Sequence, residues 1–151
     1  MKQNKAEKLL AGVLSIALAM GVSVMPAFAA QVQGPPYEDM SRVYLTKNYE
    51  LANTGTLSPE ETFTFTIDPG TVTDASEGID AADYKPIVGD VTYAQGEAGS
   101  ASKTKKIEIK LPEYDSVGVY TYIIHEVAGN SAGVTYYGDA ILLRVTVIEQ
   151  D

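Results

Sequence analysis

Cysteine and tryptophan are absent from this 151-residue chain, and histidine occurs once. Without cysteine the protein can form neither a disulfide nor a thiolate metal site, and it has no thiol nucleophile. The single histidine, His125, has no partner at a metal-binding spacing, and a zinc site needs several converging ligands. No Ser-His-Asp set is evident around it either. We therefore expect no metal, no cofactor and no enzyme in the ordinary sense.

Positive charge is also scarce, because 11 Lys and Arg residues stand against 20 Asp and Glu residues, for a net charge of -9. So acidic a chain is not expected to bind nucleic acid or an anionic membrane surface. Several carboxylates fall within the segment 68–85, but they lack the alternating aspartates and the closing glutamate of a calcium-binding loop. A solvated loop is the better interpretation of this segment.

One long apolar run is present, from Leu9 to Val24, and it follows a short segment with three lysines and one glutamate. This order is typical of a signal peptide. Small residues at Ala27 and Ala29 then predict cleavage between Ala29 and Ala30. Because the run is shorter than the roughly 20 residues of a membrane-spanning helix, we expect removal rather than anchoring.

The chain thus divides into three parts. Residues 1–29 are predicted to be a signal peptide that is helical before its removal, and residues 30–42 a flexible lead-in with a Gly-Pro-Pro break. Residues 43–151 are predicted to form one domain of an exported protein, since a second domain has no room.

The part after the leader has the composition of successive strands, with runs of Val, Ile, Thr, Tyr and Phe between clusters of Gly, Pro, Asn, Asp and Ser. No convincing helical period occurs there, although 80–84 is long enough for a single turn. The polar segment 68–85 is of the kind that crosses between two sheets, and 94–102 is predicted to be a hairpin tip. The pattern predicts an all-β, immunoglobulin-like two-sheet sandwich of about six strands, near 43–51, 61–67, 86–93, 104–111, 117–127 and 139–148.

Two charged residues fall in apolar rows. Period-two alternation places Lys47 on the face that Val43 and Leu45 share, and Glu126 on the face of Tyr122. Because an unpaired buried charge is costly, we expect the two groups either to pair or to be held in their neutral forms. A neutral amine is a nucleophile and a neutral acid can carry a proton, so with a nearby asparagine the two could make a Lys-Asn amide. Parity alone leaves open that both side chains extend into water from strand ends.

Five segments together carry a recognisable pattern: VYLTKNYE at 43–50, TFTF at 62–65, GVYTYIIHE at 118–126, GVTY at 133–136 and LRVTV at 143–147. In order and spacing they resemble the streptococcal pilin isopeptide-linkage domain family, over nearly all of the chain after the leader. The resemblance implies a module of a sortase-assembled pilus or surface stalk on a Gram-positive bacterium. It also implies a secreted, cell-wall-associated protein whose partners are other pilin subunits or surface-protein domains.

Residue by residue, the resemblance implies that Lys47 is the amine of an intramolecular isopeptide bond and that Glu126 is the catalytic acid promoting it. The family's acceptor asparagine lies on a final strand, beyond the segment that ends at Val147. The asparagines after the leader are Asn48, Asn53 and Asn130, and none follows the sixth predicted strand. We therefore expect the acceptor and the final strand to be missing from this chain, which also shows no sorting signal. A missing strand would leave a sheet edge open to a strand donated by a neighbouring protein.

A different class of function is a secreted adhesin, a β-sandwich that binds carbohydrate or protein through loops 68–85 and 94–102. The ten tyrosines of the chain give this alternative some support. Most of them, however, fall within predicted strands, where packing is the simpler role.

Overall fold

A computed structural model of the protein describes residues 9–17, 40–53 and 55–149. These residues contain nine strands and one 3-10 turn, Ala81–Tyr84, which confirms the all-β class. No helix in the described ranges is long and apolar enough to cross a membrane. The strands are β1 Leu9–Ala17, β2 Arg42–Asn48, β3 Glu61–Phe63, β4 Phe65–Thr73, β5 Ile87–Val88, β6 Val91–Tyr93, β7 Thr104–Lys110, β8 Gly118–Glu126 and β9 Ile141–Glu149.

The strands form three sheets that enclose one core. Their orders are β1-β9-β8-β4, β2-β7-β5 and β3-β6, and every pairing is antiparallel. Side chains from all three sheets join a single buried cluster, as expected for a sandwich. Strand β8 contributes most regularly, because Tyr120, Tyr122 and Ile124 alternate along its inner face at 0–1 % exposure.

Two predicted strands are each divided between sheets. The segment 61–67 breaks at Thr64, so that β3 pairs with β6 while β4 pairs with β8. The segment 86–93 breaks at Gly89-Asp90 in the same way, into β5 and β6. An unbroken run of strand-forming residues does not mark the point where a chain changes sheets. The prediction of a hairpin tip at 94–102 was wrong for the same reason, since β6 and β7, which it joins, belong to different sheets.

The predicted polar connection 68–85 is shorter than expected, because β4 continues to Thr73. The register of β4 on β8 shifts between Pro69 and Val72, and this bulge accommodates a proline within the strand. The backbone N–H of Thr71 donates to the Thr121 hydroxyl at 2.7 Å. The turn predicted at 80–84 is present, and the Asp80 carboxylate caps it by accepting from the Ala82 N–H at 2.9 Å.

The described part of the leader is a strand where a helix was expected. Leu9–Ala17 pairs antiparallel with β9, from Leu9 opposite Glu149 to Ala17 opposite Leu142. Backbone N–H and C=O groups along the outer side of β9 need partners, and an added strand supplies them. The predicted cleavage site at Ala29 and Ala30, and nearly all of the lead-in, lie outside the described residues.

The bulge in β4 depends on Gly70. A Cβ atom at this position would lie 2.6 Å from the Thr121 hydroxyl oxygen and 2.8 Å from its carbonyl oxygen. We expect Gly70→Ala to lower the free energy of unfolding by about 1–3 kcal/mol through overpacking. Gly138→Ala is the matched control, because a Cβ there meets nothing within 4 Å, and we expect a change within about 0.5 kcal/mol. Urea unfolding measures both variants, and equal midpoints would contradict the role of Gly70.

Candidate functional site

Lys47 and Glu126 meet in the interior, although they lie on different sheets. The Lys47 Nζ donates to Glu126 Oε1 at 2.8 Å and to Oε2 at 2.7 Å. Their side chains are 13 % and 2 % exposed, respectively. Neither side chain extends into water from its strand end, so the structure chooses between the alternatives that parity had left open. The pair links the sheet of β2 to the sheet of β8.

Strand geometry accounts for this meeting. Along β2 the inward row is Val43, Leu45 and then Lys47, as the alternation of burial shows. Glu126 is the last residue of β8 and stands opposite Phe65 of β4. Both charged groups therefore lie near strand ends but on inward-facing positions.

Aromatic rings enclose the lysine. Its Nζ lies 4.1 Å from the centroid of the Phe63 ring, within the range of a cation–π interaction. Phe63 in turn makes edge contacts with Tyr49 and Tyr93, at centroid distances of 5.1 and 5.8 Å. The Tyr93 hydroxyl donates to the backbone oxygen of Lys47 at 2.7 Å. These rings keep water away from the amine and fix the strand that carries it.

The phenols beside the lysine are held neutral. Burial raises the pKa of Tyr49, and the nearby negative charge of Glu61 raises it further. Burial also raises the pKa of Tyr93, against the lowering effect of a hydrogen bond with the Lys105 backbone. The ring wall therefore adds no charge of its own to the site.

The connection between β8 and β9 holds the acid from the other side. The Tyr137 backbone N–H donates to Glu126 Oε1 at 3.2 Å. The neighbouring Tyr136 hydroxyl donates to Glu61 Oε1 at 2.8 Å, and Glu61 is itself only 8 % exposed. Sequence reasoning missed both Glu61 and Tyr136. The shared parity of Glu61 with the apolar Phe63 was the available signal.

The site holds an amine and an acid, but the described residues bring no carboxamide to them. Asn48, Asn53 and Asn130 are all exposed, and no hydrogen bond joins any of them to the Lys47 amine. Asn48 instead accepts a hydrogen bond from the Thr104 hydroxyl. Over the same ranges no three acidic or histidine side chains group as metal ligands. The arrangement suits proton transfer and nucleophilic attack by the amine once an electrophile is supplied.

A second lysine–glutamate pair provides an internal comparison. Lys105 Nζ lies 2.7 Å from Glu97 Oε2 and 4.6 Å from the Tyr93 ring centroid. A hydrogen bond from Lys105 lowers the pKa of Glu97, and a hydrogen bond from the Ala94 backbone N–H lowers it further. The Lys105 and Glu97 side chains are 29 % and 24 % exposed, so this pair is more accessible to solvent than the Lys47–Glu126 pair.

Comparison with known proteins gives two matches. Residues 43–151 match the family model of the Spy0128-like isopeptide containing domain, FctA. The chain is also 28% identical over 135 residues to a protein named Pilin from Streptococcus pyogenes serotype M1. That alignment covers 87% of this chain and 39% of the relative, so the chain spans well under half of the relative's length. No solved structure matches the chain.

Removing one partner of the buried pair leaves the other charge without compensation. We expect Lys47→Met and Glu126→Gln each to lower the free energy of unfolding by about 3–5 kcal/mol. In the double variant the losses should be less than additive, with a coupling of about 1–3 kcal/mol. Urea unfolding of all four proteins of this double-mutant cycle measures the coupling.

The surface pair Arg42–Glu108 is the matched control for this cycle. The Arg42 Nη1 and Glu108 Oε2 atoms are 3.1 Å apart, but the two side chains are 58 % and 31 % exposed. Arg42→Met and Glu108→Gln should therefore couple by less than about 1 kcal/mol. Equal coupling in the two cycles would show that burial adds nothing to the Lys47–Glu126 pair.

Proposed function

Because the chain belongs to the Spy0128-like isopeptide containing domain family, we propose that it is a structural module of a Gram-positive surface pilus or cell-wall stalk. In this role the domain resists tension and does not turn over a substrate. The observation that carries the proposal is the Lys47–Glu126 contact of 2.7 Å, between side chains 13 % and 2 % exposed. The whole relative named Pilin is much longer than this chain, so the role of the assembled protein is part of the proposal.

The proposed chemistry is a self-made amide between Lys47 and an asparagine. The Lys47 nitrogen attacks the side-chain carbonyl carbon of the asparagine, and a new C–N bond forms as the bond to the departing nitrogen breaks. Glu126 takes a proton from the attacking nitrogen and gives one to the leaving nitrogen, so it is regenerated while ammonia departs. The reaction occurs once per molecule, so the domain is not an enzyme.

The acceptor is proposed to be an asparagine on a further strand, which is brought beside β2. Strand β7 occupies one side of β2, so the approach is from its other side. The aromatic wall favours the reaction, because exclusion of water strengthens the polar contacts within the site. Three described asparagines, Asn48, Asn53 and Asn130, are not candidates, since all are exposed.

The proposed route begins with export. Residues 1–29 act as a signal peptide cut between Ala29 and Ala30, and residues 30–42 form the lead-in of a secreted, cell-surface domain. We further propose that it associates with other pilin subunits or surface-protein domains through a strand donated to an open sheet edge.

The adhesin alternative is less well supported. Aromatic side chains that bind ligands are exposed, whereas most of the tyrosines in the described ranges are buried or half-buried. Tyr44 is the exposed exception, at 42%. The loops proposed for binding contain one tyrosine, Tyr84, and it packs against Tyr114 and Tyr120.

Intact mass tests the crosslink directly. A chain extended after Asp151 by an asparagine-bearing strand should weigh one ammonia less than its sequence requires. Lys47→Arg and Glu126→Gln should each restore the full mass, because the first removes the nucleophile and the second the proton carrier. The crosslink closes a loop of about 100 residues, which should add about 4–5 kcal/mol to the free energy of unfolding.

Lys105→Arg is the control for this experiment, since Lys105 forms an equally short but more exposed pair with Glu97. It should leave the ammonia loss unchanged. Full mass in the extended parent chain, or ammonia loss that survives Lys47→Arg, would contradict the proposed chemistry.

A further inference from the structure

Glu61 is a buried carboxylate to which the proposed chemistry gives no role. It is the first residue of β3 and faces the core, as Phe63 does. Within the described residues no cationic side chain forms a salt bridge with it. Its Oε1 accepts instead from the Tyr136 hydroxyl at 2.8 Å. Because a buried carboxylate is costly without a cation beside it, stability alone does not account for a glutamate at this position.

Tyr136 belongs to the connection between β8 and β9, residues 127–140, which contains neither helix nor strand. Without a backbone ladder, side-chain contacts must place such a segment. The Tyr136 ring lies 5.7 Å from the Phe63 ring, centroid to centroid. On its own connection, a Cβ atom at Gly129 would lie 2.6 Å from the ring carbon that bears the Tyr136 hydroxyl. The ring is thus closely packed, and Glu61 fixes its hydroxyl end.

The next residue along the chain reaches the acid. The Tyr137 backbone N–H donates to Glu126 Oε1 at 3.2 Å. The same oxygen accepts from the Lys47 Nζ at 2.8 Å, and Oε2 accepts from that Nζ at 2.7 Å. A backbone donor on one oxygen limits rotation of the carboxyl group, so both oxygens keep their positions relative to the amine.

We propose that Glu61 and Tyr136 are positioning residues for the reaction of Lys47 with its acceptor. Their hydrogen bond holds the connection in place, so that the Tyr137 N–H fixes the Glu126 carboxyl group against the amine. Neither positioning residue exchanges a proton with the reacting atoms. Glu126 remains the group that takes a proton from the attacking nitrogen and gives one to the departing nitrogen. The proposal rests on the proposed function and adds to it the residues that set the geometry of proton transfer.

Amide hydrogen exchange tests the placement without any crosslinking. In the full chain, Tyr136→Phe removes only the hydroxyl group, and we expect the Tyr137 amide to exchange about tenfold faster, because its segment opens more often. The Val127 amide, at the other end of the connection, donates to the Thr64 backbone oxygen at 2.9 Å. It should exchange as in the parent chain. An unchanged exchange rate at Tyr137 would overturn the proposal.

The rate of ammonia loss tests the consequence, in the chain extended by an asparagine-bearing strand. Tyr136→Phe and Glu61→Leu should each slow it about tenfold, since either change removes the hydrogen bond and loosens the Glu126 carboxyl group. Glu61→Gln keeps an oxygen that can accept from the hydroxyl, so its rate should stay close to that of the parent. The variant with both Glu61→Leu and Tyr136→Phe should be no slower than the slower single variant, because both changes act through one bond.

Tyr120→Phe is the matched control for Tyr136→Phe. The Tyr120 hydroxyl also donates at 2.8 Å, to the Ser116 backbone oxygen. Tyr120 and Glu126 both lie on β8, but about 20 Å apart along the strand. We expect Tyr120→Phe to lower the urea midpoint as Tyr136→Phe does, and to leave the rate of ammonia loss unchanged. Equal slowing in the two variants would show that Tyr136 acts only through stability, against the proposal.

The positioning role and the amide chemistry fail in different ways. Full mass in the extended parent chain contradicts the amide chemistry, and the positioning role with it. Unchanged exchange at Tyr137 contradicts the positioning role alone, even where the parent loses ammonia. Ammonia loss from Glu61→Leu at the rate of the parent would likewise remove Glu61 from the proposed role and leave the chemistry of Lys47 intact.

Discussion

The interior of this sandwich is organised around a buried lysine that needs a counter-charge. Lys47 is carried inward by the strict alternation of β2, and removing an ammonium group from water is costly unless a counter-charge is present. Glu126 supplies it from the opposite sheet at 2.7 Å. The arrangement of Phe63 over the amine, of Tyr93 on the lysine backbone and of Tyr137 on the carboxylate follows from holding these two groups in one geometry.

A second group of buried polar side chains in the described residues, the tyrosines beside β8, is satisfied without an ion pair. Along the same face of β8, the Tyr122 hydroxyl donates to the Tyr84 backbone oxygen at 2.6 Å and the Tyr120 hydroxyl to Ser116 at 2.8 Å. Burial raises the pKa of Tyr122 to about 12, so it stays neutral under ordinary conditions. Hydrogen bonds between uncharged groups therefore satisfy the buried hydroxyls of Tyr120 and Tyr122. A buried ion pair is often no more stabilising than well-packed apolar residues, so stability alone does not account for the pair at Lys47, and the proposed amide chemistry would give it a purpose.

Period-two alternation predicted which faces Lys47 and Glu126 occupy, because burial along a strand follows parity wherever one side faces the core. It could not predict where Thr64 and Gly89 let the chain change sheets, since that depends on which strands are available as neighbours. Nor could it find the contact of Tyr136 with Glu61, which joins a loop to a strand 75 residues away. The leader shows the same limit. Its local composition indicates a helix, but the open side of β9 offers backbone partners that only the tertiary structure reveals.

The packing of the two sheets limits where the proposed acceptor strand can lie. A small apolar cleft lies between β2 and β9, with Val43 and Leu45 on one wall and Ile141 and Leu143 on the other. Strands β2 and β9 are thus neighbours across the two sheets, and β2 is the last described strand of its own sheet. Strand β7 occupies one side of β2, so the acceptor strand proposed for Lys47 would approach from the other side. Its backbone groups would then pair with those of β2, and this pairing would hold its asparagine within reach of the Lys47 nitrogen.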